Sequence, residues 1–177
     1  SFSYHRTGLY GSPINTTPHF DTLAKEGLLF KNFFTPHWGT ARGVFATITG
    51  IPDIQTHNTA TRNPVIVCQQ TLVNAFSDYE KFYLLGGSAS WGNIRGLLTH
   101  NIPGLKIIEE GDFHSSRGDV WGISDLALFE EANVVLKQAQ KPFFAIIQTA
   151  GNHRPYTIPK ENDGFQTRLI DPQTLEK

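Results

Sequence analysis

The sequence predicts an α/β sandwich with a mostly parallel sheet flanked by helices, and two observations carry that expectation. Apolar residues recur at helical spacing in some segments and form short unbroken runs in others, and the two patterns alternate along the chain. Alternation of this kind is how strand–helix units build a parallel sheet. The last run, residues 143–149, is apolar over strand length without a polar face, as a strand covered on both sides requires. At 177 residues the chain is long enough for one core and reads as a single domain.

Each element follows from local chemistry. Thr17 suits an N-cap, Pro18 the first helical position and Gly27 a C-terminal stop, so 18–26 reads as a helix. The apolar run 28–34 has strand length. Residues 40–49 place Ala41, Val44, Phe45 and Ile48 on one helical stripe, ended by Gly50 and Pro52. Residues 53–64 are polar and turn-rich, which predicts a surface loop. Residues 69–79 read as helical, with Leu72, Val73 and Phe76 on one face. A strand over 81–85 ends in Gly86-Gly87, a short helix covers 91–98, and a short strand covers 105–109. The Gly/Ser/Asp-rich stretch 110–123 is a loop, and the acidic group Glu109, Glu110 and Asp112 within reach of it reads as a solvated run. Ser124 then caps the clearest helix, 125–139, with Leu128, Phe129, Ala132, Val135, Leu136 and Ala139 inward.

Composition narrows the function classes. Fifteen Lys and Arg against sixteen Asp and Glu leave no basic field for nucleic acid and no polybasic membrane patch. Cys68 is the single cysteine, so no internal disulfide exists, and its apolar neighbours predict a core position. No run approaches the roughly 20 apolar residues that cross a bilayer. Methionine is absent, the chain opens on Ser1-Phe2-Ser3-Tyr4, and it closes on a polar segment at 172–177. These ends read as those of a piece of a longer protein.

Ligands of open α/β sheets collect at the carboxyl ends of the strands. Three loops leave such ends: 35–40 with His37, Trp38 and Thr40, 86–95 with Ser88, Trp91, Asn93 and Arg95, and 150–157 with Asn152, His153, Arg154 and Tyr156. Thr40 opens a helix, where free backbone N–H groups and the helix dipole favour a phosphate or sulfate. A threonine hydroxyl needs activation, and metal coordination is one route. The alternative is that Thr40 only caps its helix, that His153 is a packing residue, and that Trp91 is core with Arg95 on a solvated face. His5, His19, His57, His100 and His114 are scattered, and no H-x-H or H-E-x-x-H pair marks a local zinc site.

The run Thr17-Pro18-His19-Phe20-Asp21-Thr22-Leu23-Ala24-Lys25-Glu26-Gly27, continued by Phe30, Asn32 and Phe33, resembles the sulfatase and lipoteichoic-acid-synthase (phosphoglycerol transferase) branch of the alkaline phosphatase superfamily. Thr40 matches the position of that branch's metal-bound threonine nucleophile. Asn152-His153-Arg154-Pro155-Tyr156 resembles its N-H-x-P-Y/F segment, whose histidine contacts the substrate phosphate. Trp91-Gly92-Asn93 resembles its tryptophan segment in the substrate pocket, with Asn93 where the synthases carry arginine and Arg95 two residues on as a substitute charge. Thr40-Ala41-Arg42 departs from the C/S-x-P-x-R motif of formylglycine sulfatases and argues against their chemistry.

The resemblance covers nearly the whole chain but only the front half of the family's catalytic domain. It implies an alkaline-phosphatase-like sandwich that is incomplete, without the first metal-ligand strand and the later Asp-His pair. Thr40 is then the sole expected metal ligand of residues 1–177. The parent is expected to use Mn²⁺ or Mg²⁺ and to act on an anionic phospholipid headgroup or a phosphorylated or sulfated glycan. Its catalytic domain is expected on the extracytoplasmic face of a bacterial membrane, held by segments outside this chain. The piece alone is expected to bind no metal, to be inactive, and to self-associate through an exposed sheet edge. A catalytically silent headgroup-binding domain and a plain α/β interaction domain are the competing readings. The last predicts no cavity joining the three loops.

Overall fold

Strand β1 (Glu80–Leu85) is the centre of the molecule because its last four residues, Phe82 to Leu85, are all buried. The computed structural model describes residues 3–54, 56–162 and 164–166. The opening Ser1-Phe2 and the polar close at 172–177 lie outside them. Strands β2 (Leu105–Ile108) and β3 (Phe143–Gln148) flank β1 in the order β2-β1-β3, both parallel to it. The register pairs Tyr83 with Ile107 on one side and with Ile146 on the other.

Side chains alternate across a sheet, so β1 feeds two cores. Tyr83 and Leu85 face α2 (Thr40–Thr49) and α3 (Ile94–Asn101), packing with Phe45, Ile48, Ile94, Leu97 and Leu98. Phe82 and Leu84 face α4 (Asp125–Lys137), with Leu128, Ala132 and Ile123. Each fully buried side chain of this size contributes about 1.5–3 kcal/mol, and helices on both faces give the α/β sandwich its layers. The α4 N-terminus is capped as expected, with Ser124 Oγ accepting from the Ala127 N–H at 3.1 Å. Helix α1 (Pro18–Glu26) begins after Thr17, whose hydroxyl bonds to Asp21 Oδ1 at 3.0 Å instead of capping the helix backbone.

Several expectations are corrected. Residues 28–34 form no strand: Leu28, Phe30, Phe33 and Phe34 are 65–84 % exposed. Apolar composition reports a demand for burial, but a strand also needs a neighbour for its backbone, and none of the described strands pairs with this segment. Residues 69–79 hold only the single 3₁₀ turn Leu72–Ala75. Its Asn74 side chain is spent on Thr71 and on the Asn101 carbonyl, which ties the segment to the end of α3 rather than extending a helix. Cys68 is exposed. The backbone on either side of it is turned inward, with Val67 O accepting from Asn101 Nδ2 and the Gln69 N–H donating to Asn101 Oδ1. Phe129 is also half-exposed, and Phe143 is 44 % exposed because β3 is an edge strand of the described sheet.

The polar stretch 53–64 is not wholly a surface loop, because Asp53, Ala60 and Thr61 are buried. Burial of such groups is tolerable only when they are paired. Asp53 Oδ2 accepts from the Ala60 N–H at 2.8 Å, and Thr61 donates to the Gly92 carbonyl at 2.6 Å.

Candidate active site

All three strands point the same way, so their carboxyl ends and the loops that leave them share one edge of the sheet. A cavity of about 300 Å³ opens there, lined by Thr40, Ser88, Trp91, Glu110, Arg117, Trp121, Gln148, Asn152 and His153, among others. The structure thus brings together Thr40, Trp91 and His153 from three separate segments. It does not bring Asn93 and Arg95, which are absent from the lining.

Thr40 is the first residue of α2, and the N-cap is Gly39, which has no side chain to offer. The hydroxyl is therefore not the N-cap group of its helix. The first helical hydrogen bond runs from the Gly43 N–H to Gly39 O, so the amides of Thr40 and Ala41 precede the first acceptor within the helix. The approach of Trp91 depends on Gly92, which is buried at φ 61 with Ala41 Cβ only 2.9 Å from where its own Cβ would lie. Asn93 follows in the left-handed region and donates its amide to Thr61 O. Asn93 is thereby a structural tie to the 59–62 turn. Arg95 bonds to Glu109 Oε1, while Glu109 Oε2 accepts from the Ala89 N–H. Glu109 is thus no solvated residue: it braces the loop after β1. Arg42 sits beside buried Asp53 (3.9 Å) and also stays outside the cavity.

The loop 110–123 contributes residues that the sequence reading passed over. Trp121 packs on His153 with ring centroids 3.9 Å apart. Arg117 pairs with Glu110 Oε2 at 3.3 Å and donates to Asp119 O and Val120 O at 2.7 and 2.6 Å, so its guanidinium is held at the cavity rim. The available signal was topological, since this loop leaves the carboxyl end of β2 just as the other loops leave theirs. Its Gly/Ser-rich composition hid that. The loop is pinned to α4 by Glu131, whose Oε1 accepts from the Ser115 N–H and hydroxyl, both at 2.8 Å.

Two residues outside the lining hold residues that line it, Tyr83 through Gln148 and Asp125 through Ala150. Tyr83 is fully buried in β1 and hydrogen-bonds through its hydroxyl to the Gln148 amide oxygen. Burial pushes its phenol well above the usual tyrosine value. A raised folded-state pKa means that the folded state holds the proton longer, so the contribution is complete below about pH 10 and is lost as pH rises beyond it. Wild-type stability is expected to fall relative to Tyr83→Phe by about 1.4 kcal/mol per pH unit above pH 10. Urea titrations at several alkaline pH values would read this, and parallel curves for the two proteins would contradict it.

Asp125 Oδ1 accepts from the Ala150 and Gly151 N–H groups, both at 2.9 Å, and so anchors the loop that carries His153. Asp125→Ala is expected to cost about 1–3 kcal/mol by orphaning these donors. Hydrogen exchange at Ala150 and Gly151 should speed up while the amides of β1 stay protected. Unchanged exchange there would remove Asp125 from this role.

Among the described residues, no group of three or more His, Cys, Asp or Glu could hold a metal ion. Thr40 offers one neutral hydroxyl, so these residues by themselves do not fit a divalent cation.

Comparison with known proteins agrees with the α/β fold. The family model described as Sulfatase matches residues 1–173. A solved protein of the alkaline phosphatase superfamily from Vibrio parahaemolyticus superposes with TM-score 0.80 at 26% identity, covering 97% of this chain and 42% of that one. The lipoteichoic acid synthase LtaP from Listeria monocytogenes superposes with TM-score 0.73 at 19% identity, covering 88% of this chain and 39% of that one. The chain thus spans about two fifths of the length of these solved structures.

Proposed function

The chain belongs to the sulfatase family, and from that premise we propose that it carries the nucleophile side of a phospho- or sulfo-group transferase or hydrolase. Thr40 is the nucleophile, and the substrate is a phosphodiester headgroup such as that of phosphatidylglycerol. The observation that supports this reading is that Thr40, Trp91 and His153 line one cavity together. A plain interaction domain has no use for it.

In the proposed first step Thr40 Oγ forms a bond to phosphorus, and the ester bond to the lipid alkoxide breaks. The threonine proton is passed on and the leaving oxygen ends protonated. In the second step a glycerol, sugar or water hydroxyl attacks the phospho-threonine and regenerates Thr40. The Thr40 and Ala41 amides at the start of α2 donate to the nonbridging oxygens, where charge accumulates. Trp91 and His153 orient the headgroup. The Mn²⁺ or Mg²⁺ implied by the family resemblance is assigned to the whole protein, with its other ligands outside the described residues. So is anchoring of the catalytic domain at the extracytoplasmic face of a membrane.

The test uses the whole protein that contains this chain, incubated with phosphatidylglycerol vesicles and Mn²⁺, followed by peptide mass spectrometry. A phosphoglycerol adduct on the peptide bearing Thr40 supports the reading. Headgroup release without any adduct on Thr40 overturns the threonine mechanism. Vesicle binding with no release selects a silent headgroup-binding domain instead.

A further inference from the structure

We propose that Trp121 is the positioning residue of His153, clamping its ring and orienting the one carbonyl that fixes its tautomer. The inference rests on His153 serving the cavity as described under the proposed function. The indole and imidazole centroids lie 3.9 Å apart, with the planes tilted by 49°. The indole Nε1–H donates to Arg154 O at 2.5 Å, and His153 Nδ1 lies 3.1 Å from that same oxygen. A carbonyl oxygen has two lone pairs and no hydrogen, so it accepts from both rings only when Nδ1 is the protonated nitrogen. In the neutral imidazole Nε2 is then the bare nitrogen, left for a ligand in the cavity.

Trp121 is itself held from behind. Its backbone N–H donates to Asp119 Oδ1 at 2.7 Å, and its carbonyl lies where a side chain on Gly87 would fall. The loop after β2 therefore sets the ring presented by the loop after β3. His153 is exposed on a turn, where an unrestrained imidazole samples several rotamers and both tautomers. Restricting it before substrate arrives removes that ordering cost from the binding step. Phenylalanine would supply a comparable aromatic surface, so the indole N–H is the feature that separates a positioning role from packing.

The experiment is long-range ¹⁵N–¹H NMR of the histidine rings in this chain at about pH 9, where imidazoles are neutral. It compares wild type, Trp121→Phe and Trp121→Ala. Wild-type His153 is expected to show a protonated Nδ1 and a bare Nε2, with ring protons shifted upfield by the indole. Trp121→Phe should move the nitrogen shifts toward a mixture of tautomers, and Trp121→Ala should also abolish the upfield shift. A wild-type Nε2–H tautomer overturns the proposal, as do nitrogen shifts unchanged in both variants. If neither variant folds, the wild-type tautomer decides alone. No turnover enters this readout, so it fails or succeeds independently of the transfer reaction. In a turnover assay of the whole protein, Trp121→Phe is expected to lower kcat about 10-fold with KM little changed, and a KM effect alone would count against positioning.

Discussion

Thr40→Ala is expected to lower turnover by the whole protein by about four to six orders of magnitude, the loss usual when a covalent nucleophile is removed. Stability should hardly change. The residue is exposed at the first position of α2, and its hydroxyl is not the N-cap group, which is Gly39. Alanine is at least as good a helix former, and the difference at such a site is a few tenths of a kcal/mol. Thr40→Ser keeps the hydroxyl and should retain part of the activity. The pair of variants separates nucleophile from scaffold: parallel unfolding curves with a collapse of kcat in Thr40→Ala alone support the assignment. Residual turnover within about tenfold of wild type would rule Thr40 out as the attacking group.

Gly122→Ala is expected to destabilise the fold by more than about 3 kcal/mol, through strain and a collision that add. Gly122 sits at φ 113, a conformation that side-chain-bearing residues rarely adopt. A Cβ there would overlap the Gly86 carbonyl and lie 2.8 Å from Gly87 Cα. Both obstacles are backbone at the end of β1, where Gly86 O also accepts from the Ile123 N–H at 3.0 Å. Neither can swing aside as a side chain would. The wall of the cavity should lift with the loop, carrying Trp121 away from His153. Gly111→Ala is the control, since Gly111 has φ 96 but open space around it. It should cost only the conformational part, about 1 kcal/mol. Urea midpoints of the two variants compare strain with strain plus collision, and a difference under about 1 kcal/mol would show that the β1–loop contact gives way easily.

The division between what the residues announce and what the fold imposes runs along a physical line. Capping residues and 3.6-residue periodicity act over a few positions, so α1, α2 and α4 stand where the sequence predicts them, with Gly50 closing α2 at φ 73. Short apolar runs likewise placed β1, closed by Gly86-Gly87, β2 and β3, and the strand-end rule pointed to the segments that bear Trp91 and His153. The Thr40 segment, by contrast, follows 28–34, an expected strand that does not form. Partner choice is different. Whether an apolar run becomes a strand depends on a partner strand meeting its backbone, and composition does not separate 28–34, which remains exposed, from 80–85, which lies at the centre. Arg95 meets Glu109 rather than the cavity, Cys68 turns outward because Asn101 claims the backbone beside it, and Trp121 reaches His153 across 32 residues of sequence. Local propensity carries no information about such distant pairings. By itself the sequence determined the α/β class and the starts of α1, α2 and α4. The tertiary structure alone decided which side chains face one another, because hydrogen-bond and packing partners are chosen in space after the local elements have formed.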